Sequence, residues 1–438
     1  MNEKITTKVL PGFMELLPAD QILFENMKDV IKIIYEQYGF IPLDTPVIER
    51  AEVLFAKVGG ETEKQIYRFH KGDNDLALRF DLTVPLARYV SEHAYEIIFP
   101  FRRYHIGKVY RGESPQKGRY REFYQCDIDI IGLESLSLMN DAEIPGVIYH
   151  VFKKLDIGKF IIRISNRKLI TGLLSALGVA NQSVDVMRIV DKLEKVGRPE
   201  IRRMLKELGM TDEVIAKIFE FLGINGQTLE IIGSLKKMSI NNDQFLVGID
   251  ELECVMSNIQ KLGVPLQYFG IDLSIARGLD YYTGTVYETV LIDYPKLGSV
   301  CSGGRYDNLA DKYTTKKLPG VGISIGLTRL FSQLKEARLI STGKSTYTSV
   351  LVIPFVDDLT ISLIIATELR NKGVSTEVYF EEAKFNKKMA YADKLGIPFV
   401  VIVGEDEVKS GLYTVKNMKT GEQVKVSIDK IFENIQPQ

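Results

Sequence analysis

From Ile106 to Ile131 the chain reads as two strands joined by a polar turn, Glu113-Ser-Pro-Gln-Lys-Gly-Arg-Tyr, with Pro115 and Gly118 as punctuation. Side chains alternate faces along a strand. Val109, Arg111 and Glu113 therefore share one face of the first strand, and Phe123, Gln125, Asp127 and Asp129 share one face of the second. An arginine, an aromatic ring, an amide and two carboxylates grouped in this way can hold a planar base, an anionic phosphate and an amine together. The same pattern suits a solvated face of an antiparallel sheet, and periodicity alone does not separate the two readings.

Other segments extend this picture. Thr283-Gly-Thr-Val-Tyr-Glu-Thr-Val-Leu-Ile and Gly298-Ser-Val-Cys are rich in β-branched residues and read as strands of an antiparallel sheet. Ahead of them, Leu23, Met27, Val30, Ile31, Ile34 and Tyr38 recur at helical spacing between Asp20 and Tyr38, with Gly39 as the stop. Pro42 and Pro46 make the next segment extended chain or an edge strand. Helical patterns dominate from about Leu169 to Leu262, as in Pro199-Glu-Ile-Arg-Arg-Met-Leu-Lys-Glu-Leu-Gly, and suggest a helical insertion. The apolar-poor stretch starting at Ser341 is a linker candidate at 341–345, and strands alternate with helices beyond it. The expected fold class is α+β: an antiparallel-sheet domain over 1–340 with an insertion at about 169–262, then a small α/β domain over 346–438.

Several function classes lose ground. With 56 basic and 57 acidic residues, any nucleic-acid contact must come from a local patch. Cys126, Cys254 and Cys301 have no metal-finger or disulfide pattern, and His70, His93, His105 and His150 have no metal spacing, so no metal is assigned to protein side chains. The glycine-rich Ser302-Gly-Gly-Arg-Tyr-Asp and Gly320-Val-Gly-Ile-Ser-Ile-Gly match neither a dinucleotide fingerprint nor a P-loop. No signal core and no apolar run of membrane-spanning length is visible, which leads us to expect a cytoplasmic protein without a membrane partner. Arg277-Gly-Leu-Asp-Tyr-Tyr-Thr-Gly gathers a guanidinium, an acid and two phenols between glycines just before a strand; it serves either a site or a turn closed by Arg277 on Asp280.

That segment, continued as Thr-Val-Tyr-Glu, closely resembles the histidine-specific signature of the histidyl-tRNA synthetases, a class II family. Tyr110-Arg-Gly-Glu-Ser-Pro-Gln-Lys-Gly-Arg-Tyr-Arg-Glu-Phe-Tyr-Gln-Cys-Asp-Ile-Asp resembles class motif 2, and Gly326-Leu-Thr-Arg-Leu resembles motif 3. Leu78-Arg-Phe-Asp-Leu-Thr-Val-Pro-Leu-Ala-Arg and the helix with the Pro46 segment, similar to motif 1, carry the likeness to the N-terminus. The C-terminal part resembles a class IIa anticodon-binding domain.

The resemblance implies a reaction: the histidine carboxylate attacks the α-phosphate of ATP, and histidine then passes to the 3′ end of histidine tRNA. Arg111 and Arg277 are implied as the two catalytic cations, acting by charge stabilisation rather than proton transfer, with Mg²⁺ on the polyphosphate. For ATP, the implied contacts besides Arg111 are Glu113, Arg119, Phe123 and Arg329. For L-histidine, Asp81, Thr83 and Gln125 receive the α-ammonium, Asp129 and Tyr282 bond the imidazole nitrogens, and Leu82, Arg111, Arg277 and Tyr281 complete the set.

Gln116 is the implied reader of the tRNA acceptor end, and a homodimer through the motif 1 helix and Pro46 strand is expected. Lys384, Lys387, Lys388 and Lys394 lie near one C-terminal helix, where they suit either anticodon-arm phosphates or a solvated face. Asp81 and Asp129 stand where many bacterial members have glutamate, and Thr328 where motif 3 usually has glutamate. A rival reading is the non-catalytic regulatory paralogue of histidine biosynthesis. It generally lacks the C-terminal domain and the signature arginine, and this chain has both.

Overall fold

The computed structural model describes residues 5–56, 63–114, 118–275 and 281–435. Two units are distinguished, Met1–Glu15 with Met27–Ile340 and Leu16–Asn26 with Ser341–Gln438.

In the first unit the strands are β1 (Ile41–Pro42), β2 (Ile48–Arg50), β3 (Arg68–Lys71), β4 (Asn74–Leu78), β5 (Phe101–Tyr110), β6 (Glu122–Ile131), β7 (Phe160–Asn166), β8 (Phe269–Ile271), β9 (Thr285–Leu291), β10 (Ser299–Tyr306) and β11 (Gly320–Gly326). Eight form one sheet in the order β1-β5-β6-β11-β10-β9-β7-β8. Its interior pairs are antiparallel, as expected, whereas the outermost pairs β1/β5 and β7/β8 are parallel. The edge position of β1 agrees with its proline, which has no N–H to give to a second neighbour. A separate three-stranded sheet, β2-β4-β3, had no counterpart in the sequence reading.

The two faces of the large sheet differ because residues two apart share a face. Cys126, Ile128 and Ile130 of β6 and Val321, Ile323 and Ile325 of β11 are buried on one of them. The helix Met139–Leu155 packs on this side through its contacts with β10 and β11 and fully buries Ile144, Val147, Ile148 and Val151, each worth about 1.5–3 kcal/mol. Arg305 of β10 pairs with Asp141 of that helix at 2.5 Å. The N-terminal helix runs Pro18–Gln37, and its buried stripe includes Met27, Ile31, Ile34 and Tyr35, while Leu23, Val30 and Tyr38 are only half-buried. The Tyr35 hydroxyl donates to the Cys126 carbonyl at 2.9 Å and ties the helix to β6.

The expected helical segment runs from Arg167–Ala176 to Asp243–Ile259. Asn166, Thr211 and Asn242 cap three of its helices by accepting from Lys168, Val214 and Phe245 N–H groups. Pro199 starts a new helical piece after Gly197, whose φ of 78° breaks the axis.

The second unit contains β12 (Val350–Pro354), β13 (Thr376–Val378), β14 (Phe399–Val403), β15 (Tyr413–Asn417) and β16 (Gln423–Val426), ordered β13-β12-β14-β15-β16. The first three are parallel and the last two antiparallel. Val350, Val352, Ile365, Leu369, Val401 and Val415 form part of its own core. Among the described residues no helix is long and apolar enough to cross a membrane.

Candidate active site

The polar face of the large sheet floors a cavity of about 450 Å³, a size that suits a small ligand. Register builds this floor. Gln125, Asp127 and Asp129 of β6 lie opposite Gly326, Ser324 and Gly322 of β11, and Ser324 and Gly322 lie opposite Ser302 and Gly304 of β10. The glycines keep the floor low. A Cβ on Gly322 would stand 2.2 Å from Asp129 Oδ1, and one on Gly304 would stand 2.9 Å from Tyr282 Cδ1. A side chain at either position would displace a polar group of the site.

The cavity lining is rich in acceptors. Asp81, Gln125, Asp127 and Asp129 all belong to it and are all buried. Asp81 accepts from the Val84 N–H at 3.0 Å at the start of the helix Thr83–Glu92. Burial pushes its carboxyl up to about 6, against the pull of that bond and of the Arg111 charge. Asp127 is pushed up to about 7, first by burial and further by Asp129, with Arg103 opposing. Asp129 accepts a hydrogen bond from the Tyr306 hydroxyl at 2.6 Å and pairs with Arg103 at 2.5 Å. Arg103 is 0% exposed and also donates to the Leu82 carbonyl at 3.1 Å. A cluster of carboxylates around one buried cation has capacity left for a second cation arriving from the cavity.

The same lining carries guanidinium groups. Arg111 donates from Nε to the Phe80 carbonyl at 3.0 Å, and its head lies 5.2 Å from the Phe123 ring centroid. Arg119 pairs with Glu113 at 3.0 Å, and Arg329, in the first turn of the helix Leu327–Glu336, donates to the Leu297 carbonyl at 2.8 Å. Thr328 accepts from the Tyr124 N–H at 2.8 Å, so this hydroxyl joins that helix to β6 between Phe123 and Gln125.

Asp81, Thr83, Arg111, Glu113, Arg119, Phe123, Gln125, Asp129, Tyr281, Tyr282 and Arg329 thus face one cavity. Leu82 does not line it; its side chain is fully buried and its carbonyl serves Arg103. Arg277 and Gln116 lie outside the described residues. Tyr281 and Tyr282 meet edge to face at 4.9 Å, and it is Tyr306, unassigned in the sequence reading, whose hydroxyl reaches Asp129. Arg103 and Ser324 were also unassigned. Carrying the β5 alternation back from Val109 reaches Arg103, but nothing in one sequence tells which strand will lie on the far side of β6 and bring Ser324. His105 is buried beside Asp44 and is pushed down to about 3 by burial and by Arg103 and Arg79, a structural role in keeping with the absence of metal spacing.

Residues 12–330 match the family described as histidyl-tRNA synthetase, and residues 349–438 match an anticodon binding domain. A histidine–tRNA ligase of Clostridium tetani is 58% identical over 432 residues, covering 98% of each chain. The chain belongs to the histidyl-tRNA synthetase family. A crystal structure of histidyl-tRNA synthetase from Nostoc sp. PCC 7120 is 41% identical, with a TM-score of 0.89 over 99% of both chains. A structure described as an ATP phosphoribosyltransferase regulatory subunit/histidyl-tRNA synthetase from Bacillus halodurans is 19% identical with a TM-score of 0.77, a likeness of fold alone. The regulatory reading is not favoured, because the relative that is 58% identical over essentially its whole length is a histidine–tRNA ligase. Histidyl-tRNA synthetase membership also accounts for the class II antiparallel sheet and for a C-terminal unit with its own sheet.

One expectation about the C-terminal unit needs correction. Lys384, Lys387 and Lys394 are exposed on or beside the helix Phe385–Leu395, but Lys388 is 6% exposed and donates to the Pro354 carbonyl at 2.7 Å. Its ammonium lies 4.8 Å from the Phe355 ring centroid, so it is committed to the fold rather than to a phosphate.

Proposed function

We propose that this protein activates L-histidine with ATP to histidyl-adenylate and transfers histidine to the 3′ end of histidine tRNA, releasing diphosphate and then AMP. The observation that carries this reading is that one cavity is lined by the acceptors Asp81, Gln125 and Asp129 together with Arg111, Phe123 and Arg329. The acceptors suit an amino acid's ammonium and imidazole, and the guanidinium groups with the aromatic ring suit a nucleotide.

In this reading Asp81, Thr83 and Gln125 hold the α-ammonium, while Asp129 and Tyr282 bond the ring nitrogens. Phe123 and Arg329 take the adenine faces, Glu113 its amino group and Arg119 the terminal phosphate. Glu113 and Arg119 are already paired, so nucleotide binding exchanges an exposed ion pair of small worth for two ligand contacts. The histidine carboxylate attacks the α-phosphate, and Arg111 and Arg277 stabilise the negative charge that gathers in the transition state without moving a proton. Mg²⁺ is the expected companion of the polyphosphate, with no metal assigned to a protein side chain, and the ion would offset phosphate charge.

The catalytic domain is assigned to 1–340 with the insertion at about 169–262, the linker to 341–345 and the anticodon-binding domain to 346–438. Gln116 reads the acceptor end. A homodimer through the N-terminal helix and the 41–48 segment is supported by the exposure of Ile33, Ile41 and Ile48, and the protein works in the cytoplasm. Histidine-dependent pyrophosphate exchange, followed by charging of a histidine tRNA transcript with and without its 5′ guanosine, tests the function. Bound histidine without exchange would overturn it. Sedimentation of an active monomer would remove the dimer.

A further inference from the structure

Gln125 is 9% exposed, and its Nε2 donates to the Ser324 Oγ at 2.7 Å. Ser324 lies opposite Asp127 across the β6/β11 pair, both line the cavity, and the hydroxyl's influence holds the Asp127 carboxyl down against burial. Gln125 and Asp127 are two residues apart on one face of β6, so a single hydroxyl on the neighbouring strand reaches both. Among the described residues Gln125 Oε1 has no donor, and neither does Asp127 Oδ1.

The chemistry of these three groups admits one polarity. A serine hydroxyl has one hydrogen to give and lone pairs to receive. Asp127, pushed up to about 7, is ionised above that pH and can then only accept, forming the stronger, charge-assisted bond, so it takes that hydrogen. The Ser324 oxygen must then receive from Gln125, and only the amide nitrogen can supply a proton. The amide is thereby held with its carbonyl oxygen turned away from Ser324. We propose that Asp127 is a positioning residue which, through Ser324, fixes the Gln125 amide so that Oε1, not Nε2, is offered to the α-ammonium of the amino-acid substrate. Sequence alternation put Asp127 on the right face without a task, and none of the roles above uses it. The proposal rests on the reading that Gln125 meets the ammonium.

Asp127→Asn removes the constraint, because an asparagine amide can donate to Ser324 and let the hydroxyl donate to Gln125 Oε1 instead. Reversal would set an NH₂ group against the ammonium. Steady-state exchange kinetics on the full chain should show the KM for histidine raised about tenfold or more, since a bond to a charged group is at stake. The KM for ATP and kcat should stay within about twofold of wild type. Competitive inhibition separates this from a general disturbance. Affinity for histidinol, which keeps the ammonium, should fall in parallel, and affinity for the des-amino analogue imidazolepropionate should not change.

The same substitution in a Gln125→Met background tells relay from direct charge. There Asp127→Asn should add less than about twofold to the histidine KM, because no amide remains to be oriented. An undiminished effect would mean that Asp127 acts on the ammonium by its own charge and would overturn the proposal. An unchanged histidine KM in Asp127→Asn alone would also overturn it. If Gln125→Met by itself leaves the histidine KM unchanged, the assignment of Gln125 fails and the proposal falls with it. Should Asp127→Asn not fold, Ser324→Ala breaks the same relay: the histidinol loss without an imidazolepropionate loss is again expected, and equal losses for both would refute the relay.

Discussion

Replacing Arg103 by methionine should expose how much of the site depends on one buried cation. Methionine fills most of the volume of the arginine stem, so the main loss is charge. Asp129 would keep the Tyr306 bond but lose its 2.5 Å ion pair while staying 2% exposed. Burial already pushes its carboxyl up, with Arg103 the largest opposing influence. Stranding a buried charge in this way costs about 3–5 kcal/mol. Protonation is no easy escape at pH 7.5, because lifting a carboxyl from about 3.9 to above 7.5 corresponds to on the order of 5 kcal/mol. At pH 5.0 the same escape is limited to about 1.5 kcal/mol. The sign follows: a folded-state value raised above the unfolded one leaves stability intact below about pH 4, and the loss grows as pH rises. Urea unfolding followed by tyrosine fluorescence, in a chain with no tryptophan, gives the measurement at both pH values. A loss below about 1 kcal/mol at pH 7.5, or an equal loss at pH 5.0, would refute the reasoning.

Gly322→Ala would bring a Cβ 2.2 Å from Asp129 Oδ1 and 2.3 Å from the Ile128 carbonyl, so histidine affinity measured by calorimetry should drop about tenfold or more while nucleotide affinity holds. Asp81 and Asp127, raised to about 6 and 7, cost the folded state stability as pH climbs through those values, so histidine should raise the melting temperature more at pH 7.5 than at pH 5.5; a shift independent of pH would count against the acceptor cluster. Arg277→Ala should leave urea stability nearly unchanged and abolish adenylate formation, which single-turnover assays resolve. Lys388→Met should cost the C-terminal unit about 1–3 kcal/mol, whereas Lys387→Ala should leave its stability unchanged and weaken tRNA binding with a reduced salt slope.

Much of this architecture was legible along the chain. The hairpin, the helical segment from 167 to 259 and the C-terminal alternation each depend on local spacing, turn residues and caps such as Thr211 and Asn242. The helix Pro18–Gln37 was legible as an element, although its buried stripe includes Tyr35 rather than Val30. The parallel outer pairs were not legible, because pairing direction depends on the path of distant segments.

Alternation alone put Gln125, Asp127 and Asp129 on one polar face, since that follows from backbone geometry within a few residues, whereas the roles of Arg111, Phe123 and Arg329 were implied by the family resemblance. Partnership is a different kind of property. That Arg103 neutralises Asp129, that the Tyr306 hydroxyl reaches it, that Ser324 accepts from Gln125, and that Lys388 turns inward were settled only when strands far apart in the chain came into register. Hydrogen bonds and burial are relations between neighbours in space, and the sheet chooses those neighbours.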